Sequence, residues 1–331
     1  IVIAIYTMFG GLKAVAATDI FQMIFIAIGV FILFFVVLNN TDGWVTVIKQ
    51  LPEHAFDFTP QGETLTDKLE YFQVWLSSGL AAITSISVVQ RAMASKSEHV
   101  AQNAFYIAGV IYLLFGMFPI MLGYIASITM PGIEDPNAII PLLAIEHLHP
   151  ILVAIFVGAV VSAIMSTSDS ILLGIGTLCS VDLLPRLIRN PSEKLHLIVA
   201  RWSIPFIALL ALWKAFNTSS VIGGIGEAVA VGFAGISGPY LLVIWWKRLT
   251  PMGGYAGIAA GFISFMISAA LIPNIPSSLV AFVVSIVISI IVSLATQRID
   301  APKPLTDNEN VPMDRSNRLG TLPLVGKTRL D

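Results

Sequence analysis

Charge is what this sequence has least of. Of 331 residues only 11% are Asp, Glu, Lys or Arg, 56% are hydrophobic, and the mean hydropathy is +0.86. Soluble domains carry about a quarter charged residues, so this chain cannot cover a water-facing surface and lipid must be its main solvent. Cysteine is almost missing as well: Cys179 stands alone, which excludes an intramolecular disulfide and leaves a small packing residue. There is no Met, basic n-region or cleavage site at the start, so IVIAIYTMFGG is not a signal peptide. It reads as the end of a helix that begins earlier, and the chain as a fragment. Paired Cys, clustered His and HExxH spacings are absent, which argues against a transition-metal site. The five histidines, His54, His99, His147, His149 and His196, are read as solvated loop or helix-mouth residues. Nucleophile elbow, phosphate loop and defensible carboxylate pair are likewise missing, so no enzyme chemistry is expected, and no basic face invites nucleic acid.

What is present is a series of apolar runs near the ~20 residues that span a hydrocarbon core. They predict an all-α polytopic membrane protein. A partial helix at 1–9 is followed by eight spans, at about 19–39, 70–91, 103–128, 151–181, 196–214, 219–246, 253–273 and 277–297. The runs at 151–181 and 219–246 exceed a bilayer's need, so they should tilt, break or project. Cationic residues concentrate on the cytoplasmic side of membranes. With Lys13 inside, alternation places fifteen of the 18 Lys and Arg on that side and only Lys49, Lys68 and Lys214 outside. The C-terminus is then cytoplasmic. A short surface helix is expected in the external loop 40–69, and NAIIPLLAIEHL (137–148) is amphipathic and too short to span. Trp213, Trp245 and Trp246 beside cations read as interfacial anchors. Residues 300–331 are polar and aperiodic, and are expected to form a disordered tail.

Ionisable residues inside spans mark sites or pathways by default, and three qualify: Asp19, Asp169 and Glu227. Asp19 follows Thr18 at an expected helix start, where an N-cap alone would explain it. Glu227 lies in the glycine-rich GGIGEAVAVGFAGISGP (223–239) and can be read as a packing residue. The run SAIMSTSDSILL (162–173) says more. At 100° per residue, Ala163, Ser166, Thr167, Ser170, Gly174 and Thr177 share one stripe, with Asp169 beside it. Small residues let helices approach closely, so a packing seam is one reading. A monovalent cation site is the other, because hydroxyls and a backbone carbonyl gather hard oxygens with little net charge. Spacing alone leaves the two readings level, and a partner helix would have to supply the remaining oxygens.

The blocks YTMFGGLKAVAATDIFQ (6–22), VVQRAMASKS (88–97), DPNAIIPLL (135–143) and VGAVVSAIMSTSDSILL (157–173) resemble the sodium:solute symporter family, which includes proline, pantothenate, sialic acid, choline and glucose cotransporters. The resemblance implies a partial LeuT-like inverted-repeat fold. This chain would hold the end of core helix 4, core helices 5–10 and two peripheral helices, with the helices before Ile1 as its missing partner. Such folds hold ions on broken helices at the repeat interface. By resemblance, the Ala163 carbonyl, Ser166 and Thr167 match half of the shared sodium site. Asp19 matches an acidic residue at the cytoplasmic exit, and Asp169 and Ser170 fall where some relatives place hydroxyl ligands of a second sodium. An acid at 169 departs from that pattern. Glu227 lies close to where sugar-carrying relatives have a substrate-binding glutamine, and Thr84, Ser85 and Ser87 could line the same cavity. The stretch LAAITSISVVQ (80–90) carries no aromatic residue, which disfavours sugar.

The expected function is therefore sodium-coupled symport of a small organic solute by alternating access. An amino acid, carboxylate or quaternary ammonium compound is favoured as solute, Na+ as coupling ion, and no organic cofactor is expected. The expected location is the plasma membrane, a bacterial inner membrane in particular. Rival readings are a solute-sensing module of the same fold, which the short tail disfavours, and a proton-coupled transporter. A membrane-embedded enzyme or a channel is disfavoured because no catalytic constellation exists.

Overall fold

The computed structural model describes residues 2–41, 43–60, 62–133, 135–218, 221–272 and 274–304. Among them the α-helices are α1 (Val2–Asn40), α2 (Trp44–Gln50), α3 (Leu65–Thr84), α4 (Ile86–Met93), α5 (Glu98–Thr129), α6 (Ile139–His147), α7 (Pro150–Thr177), α8 (Leu184–Leu187), α9 (Glu193–Phe216), α10 (Val221–Gly232), α11 (Gly238–Trp245), α12 (Pro251–Leu271) and α13 (Ser277–Thr296). A 3-10 turn covers Glu53–Phe56, and π-helical turns at Leu178–Leu183 and Phe233–Ser237 join α7 to α8 and α10 to α11. No strand occurs among the described residues. Eight helical runs there are long and apolar enough to cross a membrane, as the hydropathy pattern predicts. The surface helix expected in the 40–69 loop is α2, and most of the expected disordered tail, residues 305–331, lies outside the described residues.

Two expectations are corrected. Residues 10–18 are not a loop: helix 1–9 and helix 19–39 are two parts of α1, interrupted only at Gly11, with φ 62° and ψ −173°. That backbone region is open essentially to glycine alone. The apolar run 70–91 is not one helix, because Ser85 takes an extended conformation (φ −61°, ψ 129°) and ends α3 before α4 begins. The segment 137–148 contains the nine-residue helix α6, too short to span, with one face turned inward and the other exposed. Leu143 and Ala144 of α6 are fully buried against the core, while Ile145 stays exposed on the other side.

The chain divides into two compact units. One comprises Ile1–Asp57 and Ala101–Val221, the other Phe58–Val100 and Ile222–Asp331. In the first unit α1 packs along α7. Its Val30, Leu33, Phe34 and Val37, spaced at helical period, bury against Leu122, Ile125 and Ala126 of α5, Leu143 of α6 and Phe156 of α7. Phe118 of α5 meets Phe34 edge-on, with ring centroids 5.0 Å apart, an arrangement favoured by the ring quadrupoles. A smaller cluster joins Ala4, Leu172 of α7 and Ile204 of α9.

The second unit is built around α12 and α13, which pack along their lengths, with the π-helical turn Phe233–Ser237 against both. Phe233 stacks on Phe282 at 4.5 Å. Thr250 caps α12 by accepting from the Gly253 N–H at 3.0 Å, while the Thr250 N–H donates to the Ser293 hydroxyl at 3.2 Å. The cap satisfies one of the N–H groups that every helix start leaves without a partner, and ties it to the neighbouring helix.

Candidate functional site

The polar residues of α1 and α7 meet in one seam of the first unit. The Ser166 hydroxyl donates to Asp19 Oδ1 at 2.5 Å, and the Tyr6 hydroxyl donates to Asp169 Oδ2 at 2.6 Å. Ser170 adds a longer bond to Asp169 Oδ1 at 3.4 Å. Asp169 is 0% exposed and Ser170 7% exposed. A buried carboxylate is costly unless hydrogen-bonded or paired, and here two hydroxyls from two helical segments receive it.

The break at Gly11 is what makes this possible. Tyr6 and Asp19 are 13 positions apart on α1, yet their partners Asp169 and Ser166 are only three apart on α7. A straight helix would carry residues 13 apart ~20 Å away from one another at 1.5 Å per residue. The break at Gly11 instead lets segments before and after it both reach the same turn of α7. Asp19 is consequently well inside the second part of α1, and the N-cap reading is overturned. Thr18 is occupied elsewhere, donating to the Ala14 and Val15 carbonyls at 3.1 and 2.9 Å.

The stripe expected on α7 splits in two. Ser166 and Ser170 turn into the seam with Asp169, whereas Thr167 is exposed and donates to the Ala163 carbonyl at 3.2 Å. The Thr167 hydroxyl keeps two lone pairs after donating its proton, whereas the Ala163 carbonyl accepts both this hydroxyl and the helical N–H of Thr167 and would have to give up one of them to meet a cation. The bonds orient the oxygens. The donor set is oxygen only, which suits a hard cation, and among the described residues no group of three or more His, Cys, Asp or Glu is placed to hold a metal.

The other candidates lie in the second unit. Thr84, Ser85 and Ser87 surround the break between α3 and α4. Thr84 donates to the Leu80 and Ala81 carbonyls at 3.1 and 3.2 Å, and the Ser85 and Ser87 hydroxyls lie 3.0 Å apart. Glu227 is exposed on α10, six residues before the π-helical turn. Helix breaks release backbone carbonyls at membrane depth, which is tolerated where they line a cavity.

Sequence reasoning missed Tyr6, since helical periodicity cannot relate residues on opposite sides of a break. The one available signal was the Gly10–Gly11 pair. It also misjudged histidines. His196 Nδ1 lies 2.7 Å from the Ser180 carbonyl and is the donor there, while Ser180 Oγ donates to the His196 carbonyl at 2.9 Å. This clasp holds the π-helical turn Leu178–Leu183. His149 Nδ1 accepts from the Ile151 N–H at 3.4 Å at the start of α7, and His147 Nδ1 lies 3.2 Å from Asn40 Nδ2. His196 and His147 are half-buried and serve the fold, whereas His149 is exposed, as expected.

Comparison with known proteins agrees with this architecture. The chain is similar to sodium/proline symporter 2 of Staphylococcus saprophyticus, 29% identical over 280 residues, covering 80% of this chain and 53% of the relative. It is also similar to the sodium/proline symporter of Staphylococcus aureus, 25% identical over 284 residues, covering 82% and 54%. The chain thus spans about half the length of these curated relatives. Among solved structures, it shares the fold of a Na+-coupled sialic acid symporter in a substrate-bound outward-open state. The TM-score is 0.68 at 20% identity, over 91% of this chain and 65% of that one. The family model described as "Sodium:solute symporter family" matches residues 1–261, and the chain belongs to that family.

Proposed function

We propose that this chain forms the cation-binding part of a sodium-coupled symporter for a small organic solute. The observation that carries the reading is the α1/α7 seam, where Asp19, Ser166, Asp169 and Ser170 converge on both sides of a helix break. The Ala163 carbonyl, Ser166 and Thr167 supply one half of a sodium site, and core helix 1, which the family resemblance places before Ile1, supplies the other. Asp19, Asp169 and Ser170 offer a second cation position or line the inward exit. Because the curated relatives are about twice as long, transport is proposed for a protein that carries the matching preceding helices.

Coupling needs an ion that binds one conformation better than another, since equal affinity shifts nothing. Two hydrogen bonds of the seam support such a link. The Tyr6–Asp169 bond ties the segment before Gly11 to α7, and the Asp19–Ser166 bond ties the segment after it. Any change in the angle at Gly11 alters the spacing of these oxygens, so ion affinity and hinge angle are linked.

Thr84, Ser85, Ser87 and Glu227 are proposed to contact the solute. Their polarity and the lack of aromatics in 80–90 favour an amino acid, carboxylate or quaternary ammonium compound over a sugar. Proline is the first candidate, since the relatives named above are sodium/proline symporters. The Lys and Arg distribution supports a cytoplasmic C-terminus in a plasma membrane.

Uptake by the full-length protein, with sodium and proton gradients imposed separately, tests the proposal. Sodium should drive accumulation, and Ser166→Ala and Thr167→Ala should each raise the sodium needed for half-maximal uptake about tenfold, the loss of one charge-assisted contact. Unchanged sodium dependence in both variants, or accumulation driven by protons without sodium, would sink it.

A further inference from the structure

The second unit has a groove that the transport reading leaves unused. Its volume is about 380 Å³, and Tyr240 and Val243 of α11, Gly254 and Ile258 of α12, and Lys303 with Pro304 line it. That size lies within the usual range of small-molecule sites. Its walls are largely apolar, and a cation stands at one edge.

The neighbourhood is basic and has the composition of a membrane interface. Trp245, at the end of α11, is 59% exposed, and Lys247 and Arg248 follow it directly before α12 starts at Pro251. Exposed Trp beside cations is the pattern of an interfacial belt. Lys247, Arg248, Arg298 and Lys303 stand here against Asp300, whose carboxylate is engaged by the Met252 N–H at 2.7 Å. Among the described residues no carboxylate is paired with Lys303. Close by, Gln297 accepts from Arg248 at 3.4 Å, while its buried Nε2 has no hydrogen-bond partner. Apolar walls with Lys303 at the edge and further cations in the adjoining turns complement one kind of occupant, a chain-bearing anion at the interface.

We propose that this groove binds an acidic phospholipid, with acyl carbons against Tyr240, Val243 and Ile258 and the phosphate facing Lys303. Basic pockets at the cytoplasmic ends of membrane helices recognise anionic headgroups in this way. The binding is separate from the cation seam of the first unit.

The test measures exchange of spin-labelled phosphatidylglycerol and phosphatidylcholine onto the purified protein in neutral detergent. Phosphatidylglycerol should be retained at least about fivefold better, and Lys303→Ala should lower its retention about fivefold, the usual effect of one cation near an anionic headgroup. Gly254→Leu separates groove from surface charge. A side chain at Gly254 meets open space, so the fold is kept while the groove fills, and the preference should vanish with every cation still present. Equal retention of the two lipids, or an unaffected Gly254→Leu variant, overturns the proposal. Displacement by inorganic phosphate would instead mark a free-anion site, and loss of preference on removing residues 305–331 would make the tail the receptor. Either result also overturns it.

Discussion

Two helix seams in this molecule are rich in serine, and they use it for opposite purposes. In the second unit, Gly253, Gly257 and Gly261 of α12 lie against Ser293, Ser289 and Ser285 of α13, a four-residue spacing on both helices. A methyl group added at Gly257 would come within 2.8 Å of the Ser285 carbonyl. The backbones touch, and the Ser289 hydroxyl is buried without a partner. Serine there is chiefly a small residue that allows close approach, although Ser293 also accepts from the Thr250 N–H. In the first unit, Ser166 and Ser170 face carboxylates, and Asp169 is fully buried between Tyr6 and Ser170. Serine there is an oxygen donor. Composition does not tell the seams apart; the residue on the facing helix does.

The contrast can be broken or sharpened by substitution. The largest effect is expected from Gly257→Leu. Overpacking costs of order 1–3 kcal/mol, and this site, closed by a backbone carbonyl, should reach about 3 kcal/mol. Thermal unfolding in detergent would read it, and an unchanged midpoint would mean the two helices are not in backbone contact.

Asp169→Ala should come next, at about 1–3 kcal/mol, because the Tyr6 hydroxyl loses its acceptor. A double-mutant cycle with Tyr6→Phe should give a coupling of at least ~0.5 kcal/mol. Additive losses would show that the two side chains do not act on each other. Gly11→Ala should cost a similar ~1–3 kcal/mol for backbone strain alone, since a side chain there meets nothing within 4 Å. Wild-type stability in that variant would remove the break from the account.

Ser289→Ala should be the mildest, within about 0.5 kcal/mol or slightly stabilising, because the hydroxyl it deletes is unpaired. A loss above about 1 kcal/mol would mean that Ser289 serves as a polar group after all.

Much of the fold was legible in the sequence because lipid imposes long apolar runs, and the described residues hold eight helices of membrane-spanning length, as expected. Of the α7 residues singled out in the sequence, Ser166 and Asp169 meet α1, a partner that the sequence did not name, while Thr167 turns outward. What escaped was everything governed by a helix break. Gly11 turns two expected helices into one interrupted element and brings Tyr6 to Asp169, a pairing invisible to a 3.6-residue period. Ser85 breaks a run that hydropathy shows as continuous, because apolar composition reports burial in lipid and not backbone conformation. The role of His196 was hidden for a related reason: the π-helical turn it clasps leaves no mark in the hydrophobic pattern.

The central proposal is that Ser166 of α7 belongs to a sodium site, whereas Ser289 in the α12/α13 seam only packs. Sodium binding to the folded state must raise its stability by mass action, so unfolding of the full-length protein can be titrated with NaCl at constant ionic strength against KCl. The account predicts that Ser166→Ala shifts the sodium concentration for half-maximal stabilisation upward by about tenfold, while Ser289→Ala follows the parent curve. Parent-like titration of Ser166→Ala, or equal shifts in both variants, would contradict it.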